Sequence, residues 1–221
     1  MKVIKGASCR MYPFFIIYKN VYVMKKEFAW VLLDNGHGKD TPGKSSPDGS
    51  FKEYKYCREV VNSIYNELIK HGYNCIRVTP EDTDVPLKER VNRINNYCNK
   101  YSVKNCVLLS IHCNAAGNGK DWMNGSGWEV YTTKGVTKSD MLAEILCNEV
   151  EDNGIKVRKD TTDGDMDKET DFYILRYSKC PAVLTENLFM DNKKDLEYLI
   201  DNQQIIINIH VNSIKKYIDK I

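Results

Sequence analysis

The sequence predicts an α/β fold, a mostly parallel twisted sheet of about six strands flanked by helices on both faces. Two observations lead there. Apolar runs of strand length alternate along the chain with longer segments in which apolar residues recur every three or four positions. Two of those runs, WVLLDNG and CVLLSI, are apolar enough to read as strands buried in the middle of the sheet.

Taken in order, residues 1–23 form a segment whose apolar stretch YPFFIIYKNVYVM runs on to Met24, is broken by Lys19 and is followed by no small-residue cleavage site, so it does not read as a secretion signal. It is set apart as an N-terminal extension, with an extra strand or an upstream start site as alternatives. A single catalytic domain is expected over residues 24–221, beginning at Met24. Strands are expected at 29–34, 74–79, 105–111, 127–132 and 181–186. Helices are expected at 52–71, 86–101, 137–153, 192–200 and 202–219. In the first helix Cys57, Val60, Val61, Ile64 and Leu68 form one apolar stripe, and Glu53 projects onto the same side at 100° per residue.

Composition narrows the class. A length of 221 residues with 42% hydrophobic and 28% charged residues suits one domain with a sizeable core. The 32 basic side chains nearly balance 30 acidic ones, for a formal charge of +2, so no single-sign field points to nucleic acid. No run reaches the roughly 18–20 apolar residues of a membrane span. Cys57, Cys75, Cys98, Cys106, Cys113, Cys147 and Cys180 lie in or beside apolar patterns and form no CxxC pair, so they read as buried reduced thiols.

Four side chains carry the chemistry. His37 and His112 each end an apolar strand-like run, Glu53 opens the first helix, and Glu186 closes the run PAVLTE. Each alone has a bland reading: a hydrogen-bonded core histidine, or a glutamate favoured by a helix N-terminus. A lone carboxylate on the buried side of a first turn is costly, however, unless it is protonated, hydrogen-bonded or bound to metal. Two histidines at equivalent strand exits, out of four in the chain, favour a hydrolytic zinc site with its general base. His71, before Gly72, reads as a helix C-terminus, and His210 as a packed residue of a late helix.

No HExxH or comparably short metal motif is present. In sequence order, however, WVLLDNGHG, Glu53, LLSIHCNAA and YILRYSKCPAVLTENLFMDN resemble the zinc-dependent N-acetylmuramoyl-L-alanine amidases of the amidase-3 type, over about residues 29–200. The resemblance implies that His37, Glu53 and His112 bind one zinc ion and that Glu186 is catalytic. It implies peptidoglycan as partner and substrate, hydrolysis of the bond between N-acetylmuramic acid and L-alanine, and action at the cell wall. Arg90 matches a structural arginine and Asn192 a helix N-cap. Two departures stand out: Asn35 where the family has proline, and Asn187–Leu188 where it has a small residue and glycine before phenylalanine.

Several readings stay open at this stage. Asp34 either orients the His37 ring or holds its turn through backbone amides. Glu129 is expected to face solvent or a neighbour. The acidic stretch 160–171 reads as a long loop at the substrate cleft, and its DGDMD segment lacks the position-12 glutamate of a calcium loop. Trp122, Trp128, Tyr173 and the loop GNGKDWMNGSG either line a groove for glycan or peptide or pack internally. With no linker or repeat after residue 200, a compact monomeric lysis enzyme of the phage kind is expected. A zinc peptidase cutting within the stem peptide and an inactive wall-binding protein are the competing functions.

Overall fold

The computed structural model describes residues 29–162 and 164–221; the expected extension over residues 1–23 lies outside them. The chain runs β1 (Trp30–Asn35), α1 (Glu53–Lys70), β2 (Asn74–Arg77), α2 (Leu87–Tyr101), a 3-10 turn (Val103–Asn105), β3 (Cys106–Asn114) and β4 (Glu129–Thr132). It continues through α3 (Asp140–Asp152), β5 (Lys168–Glu169), α4 (Tyr173–Tyr177), β6 (Ala182–Phe189), α5 (Lys193–Asp201) and α6 (Gln203–Lys220).

The six strands form one sheet in the order β2-β1-β3-β6-β4-β5. β2, β1, β3 and β6 are parallel, β4 is antiparallel to β6, and β5 is parallel to β4. The sheet is therefore mostly parallel and six-stranded, as the sequence predicts.

Alternate residues of the central strands feed two cores, one on each face. Val31, Leu33, Val107, Leu109, Ile111 and Val183 pack with residues of α1, α3 and α6. Leu32, Leu108 and Leu184 pack with Val91, Ile94 and Cys98 of α2 and Ile174 and Leu175 of α4. A strand covered on both sides must be apolar at every position, which is why WVLL and CVLL show no polar alternation. The seven cysteines named from the sequence are free thiols and all buried.

The structure departs from the sequence expectation at strand ends. β3 continues to Asn114 and β6 to Phe189, so His112 and Glu186 lie within paired strands instead of at their exits. Pairing between the two strands continues past the apolar runs. His112 stands opposite Glu186 and Asn114 opposite Phe189, so β6 spends one more residue than β3 over that interval. This bulge places Leu188 at φ 62, in the left-handed region that favours glycine. It is the very position where the family pattern has glycine. The two-residue β5 and five-residue α4 are too short to show a period, and neither is expected from the sequence.

Candidate metal centre and active site

β1 has β2 on one side and β3 on the other, so the chain leaves β1 in one direction and crosses back past it to reach β3. In an open parallel sheet this switch point leaves a crevice beyond the carboxyl ends of the strands. His37 follows β1 there and His112 sits near the end of β3. Glu53, at the start of α1, closes the third side.

The turn that carries His37 is built by close approach. A Cβ on Gly36 would lie 2.6 Å from Nδ1 of His112, and one on Gly38 would lie 2.0 Å from the backbone nitrogen of Asp84. The unusual backbone falls on His37 itself, at φ 56. The glycines of DNGHG thus provide room for the opposing elements, and the histidine takes the strained conformation, as residues at functional sites do.

Arg90, buried on α2, ties this turn down. It donates to Asp34 Oδ1 at 3.0 Å, to the Asn35 carbonyl at 2.5 Å, to Asp84 Oδ1 at 2.8 Å and to the Val85 carbonyl at 2.7 Å. Asp34 also accepts from Thr79 at 3.1 Å and Ser110 at 2.7 Å. Neither reading of Asp34 from the sequence survives. It touches neither the His37 ring nor the turn's amides, because its side chain points to the α2 face and is saturated there by Arg90 and two hydroxyls.

His37 Nε2 lies 3.5 Å from Glu53 Oε2, and His112 Nδ1 lies 3.3 Å from Glu53 Oε1. One donor atom from each of the three residues lies within 4.8 Å of the others. Two ligands at about 2.05 Å in a tetrahedral site are about 3.3 Å apart, so the spacing suits a small ion such as zinc. The Cys113 amide donates to Glu53 Oε1 at 3.1 Å, while Oε2 is buried without a hydrogen-bond partner. Glu53 is 1% exposed, and among the described residues its only ion-pair partners are these two imidazoles. A buried carboxylate so placed lacks a cation, and the cluster fits a metal on this count as well.

The electrostatics agree. Burial pushes His37 down to about 4, helped by His112, Lys44 and Arg90 and opposed by Glu53, so the ring is neutral and free to ligate at neutral pH. Burial works against ionisation of Glu53, but the His112 hydrogen bond and the His112 charge lead the interactions that outweigh it and hold its pKa below the usual value. Burial also opposes protonation of His112, which the Glu53 hydrogen bond and the Glu186 and Glu53 charges overcome, raising its pKa.

Glu186 stands directly across from His112 on β6. Burial raises its carboxyl to about 7, with Glu53 and Glu129 adding repulsion and His112 and Lys44 opposing. Its Oε2 has no hydrogen-bond partner. The cleft here encloses about 270 Å³ and is lined by His37, Lys44, Glu53, Asn114, Glu186 and the Gly117–Gly119 turn, among others. A larger cavity of about 1180 Å³ opens at the amino ends of the central strands, near Ala29, Asn105 and Pro181, and among the described residues no histidine or acidic side chain lines it.

The other candidates sort clearly. Glu129 is 3% exposed and does not face solvent: Asn114, Tyr131, Arg158 and Lys168 all donate to it. Trp128 is fully buried beside the His210 ring, and neither Trp122 nor Tyr173 lines the cleft; of the aromatic-containing loop only its glycine-rich start does. His210 bonds Thr185 and the Ile206 carbonyl and is structural. His71 caps α1, and Asn192 caps α5 by accepting from the Lys194 and Asp195 amides. The described residues of the acidic stretch are irregular apart from β5. Sequence reasoning missed Lys44 and Asn114 in the cleft. Asn114, two residues after His112 in the same strand, carried a signal; Lys44, in a polar loop, carried none.

This arrangement defines an α/β protein in which His37, Glu53 and His112 form a cluster that could hold a metal ion, beside a buried carboxylate. Residues 31–216 match the family model for N-acetylmuramoyl-L-alanine amidase, and the chain belongs to that family of enzymes. It is 28% identical over 197 residues to N-acetylmuramoyl-L-alanine amidase CwlM of Bacillus licheniformis, covering 84% of this chain and 67% of that one. It is 29% identical over 178 residues to the endolysin of Bacillus phage SPP1, covering 76% of this chain and 58% of the endolysin. Among solved structures, an N-acetylmuramoyl-L-alanine amidase from Clostridium difficile 630 superposes with a TM-score of 0.74 at 26% identity, covering 86% of this chain and 97% of that one. The chain thus spans between about three fifths and two thirds of the length of those two sequence relatives.

Proposed function

We propose that this chain, as one catalytic domain over residues 24–221, hydrolyses the amide between N-acetylmuramic acid and L-alanine in peptidoglycan and releases the stem peptides. The observation that carries this reading is the juxtaposition of an unpartnered carboxylate oxygen on Glu186 with the His37, Glu53 and His112 cluster. Those three residues would hold a single zinc ion. Zinc supplies Lewis-acid polarisation of the lactyl carbonyl and lowers the pKa of a water molecule toward about 7.

The protein's own groups do the rest. His37 presents a neutral imidazole nitrogen, and its ring lies 5.2 Å from that of His112 and nearly perpendicular to it. The Cys113 amide fixes Glu53 so that one oxygen is held and the other is free. Glu186 takes the proton from the water that attacks the lactyl carbonyl. As the carbon–nitrogen bond breaks, it returns that proton to the alanine nitrogen. A carboxyl raised to about 7 suits both transfers near neutral pH.

A monomer acting at the cell wall, in lysis or wall remodelling, fits the bacterial amidase and phage endolysin among the relatives. No helix among the described residues is long and apolar enough to cross a membrane. The test is mass spectrometry of soluble products from purified peptidoglycan. Free peptides beginning with L-alanine are expected, absent after chelation and reduced on the order of 10²–10⁴-fold by Glu186→Gln, which keeps its metal. Fragments cut within the peptide would overturn the reading in favour of a metallopeptidase. The absence of any metal-dependent product would overturn it in favour of a binding protein.

A further inference from the structure

The row of side chains that begins at His112 does not end at Glu186. Residues directly opposite one another on paired strands project from the same face of a sheet. Glu129 is opposite Glu186, which is opposite His112, so the three stand in a row across β4, β6 and β3. Glu129 is the anchor of a cationic group at the end of that row. Arg158 Nε and Lys168 Nζ both donate to its Oε1 at 2.6 Å, and Asn114 and the Tyr131 hydroxyl fill Oε2 at 2.6 and 2.7 Å. Burial disfavours the ionised carboxyl, yet the Lys168, Tyr131 and Arg158 hydrogen bonds outweigh it and keep Glu129 charged.

Two cations on one carboxylate leave an excess of positive charge. Neither cation is buried: Arg158 is 39% and Lys168 26% exposed. Arg158 is also held from a second side, its guanidinium carbon 5.1 Å from the Phe189 ring centre. With Nε engaged and one face on an aromatic ring, its terminal nitrogens are oriented, and they make no hydrogen bond among the described residues. That is a fork set to receive an oxyanion.

Adjacent strands lie about 4.8 Å apart, which puts the cations on the order of 7 Å beyond Glu186. Extended peptide covers that in about two residues. We propose that Arg158 and Lys168 form a specificity subsite for a carboxylate on the second residue of the leaving peptide, the one following the alanine. The subsite deepens the amidase reading and rests on it. Glu129 is its positioning residue, holding both cations while the adjoining Asn114 keeps the anchor in register with the cleft.

The test compares two soluble substrates, N-acetylmuramoyl-L-alanyl-D-glutamyl peptides whose glutamyl α-group is either the free carboxylate or the carboxamide. Wild-type protein with its metal is expected to favour the carboxylate by about tenfold or more in kcat/KM, mainly through KM, as one charge-assisted fork would give. That preference should fall toward one in Arg158→Gln and in Lys168→Gln, persist in Lys168→Arg, and decline with added salt. Equal kcat/KM for the two substrates in wild-type protein overturns the subsite, and this arm needs no variant to fold. So does a preference that survives both glutamine substitutions, or a parallel fall on both substrates, which marks a purely structural role. Failure to release alanine-terminated peptide from either substrate is a different result and overturns the amidase reading itself.

Discussion

Arg90 joins the fold to the proposed metal cluster, and removing it should be felt in both. Arg90→Met deletes the cation that neutralises Asp34, itself 1% exposed, and strips donors from the Asn35 and Val85 carbonyls. Breaking a buried pair by removing one partner costs about 3–5 kcal/mol. Thr79 and Ser110 still donate to Asp34, so the loss belongs near the lower end, about 3 kcal/mol. Against a total stability of about 5–15 kcal/mol the protein remains folded at 25 °C but with a large part of its margin gone. The turn bearing His37 loses its main tether, so metal affinity should fall roughly 10–100-fold, the usual effect of losing an outer support. Arg90→Lys keeps the charge but cannot reach Asp34, two carbonyls and Asp84 at once, and should recover only part of either loss. The measurements are urea unfolding of the metal-free protein and zinc titration against a competing chelator. Arg90→Met within 1 kcal/mol of wild type and with unaltered zinc affinity would refute the reasoning. So would the absence of coupling in a double-mutant cycle with Asp34→Asn.

Two further outcomes are expected. Gly36→Ala drives a methyl group into the His112 ring, 2.6 Å from Nδ1 and 2.9 Å from Cε1, so the variant should keep its circular dichroism while losing metal binding and activity; full retention of zinc would contradict the packing described. His210, pushed down to about 4 by complete burial, should make stability pH-dependent. Its folded pKa lies below the unfolded value of about 6.5, so the unfolded chain binds the extra proton, and stability present above pH 6.5 is lost as pH falls toward 4. At about 1.4 kcal/mol per unit, going from pH 7 to pH 5 costs about 2 kcal/mol. Subtracting the same pH series for His210→Gln cancels every other titrating group, His37 included, and an identical slope in the two proteins would sink the assignment.

What was legible in the sequence is what local pattern controls. Strands covered on both faces must be apolar throughout, so WVLL and CVLLSI announced the sheet, and the 3.6-residue stripe of α1 announced both the helix and the buried side of Glu53. The ligand candidates were readable because His37 and His112 each close an apolar run and Glu53 falls on the buried side of a helix's first turn. The misses share a cause: they depend on contacts distant in sequence. Asp34 could not be assigned without knowing that Arg90 reaches it across 56 residues. Glu129 could be read only as facing solvent or a neighbour, because three of its four donors, Asn114, Arg158 and Lys168, come from other segments. The bulge that seats Leu188 at φ 62 is a property of the β3–β6 register, and periodicity within one strand does not encode it.

The account stands on a metal held by three named side chains. Anomalous diffraction across the zinc absorption edge, from crystals of the purified protein, tests that most directly. One peak is expected, bonded to an imidazole nitrogen of His37, a carboxylate oxygen of Glu53 and an imidazole nitrogen of His112, with Glu186 close by but not bonded. A peak elsewhere, or an empty cluster in protein that cleaves peptidoglycan in the presence of a chelator, would contradict it.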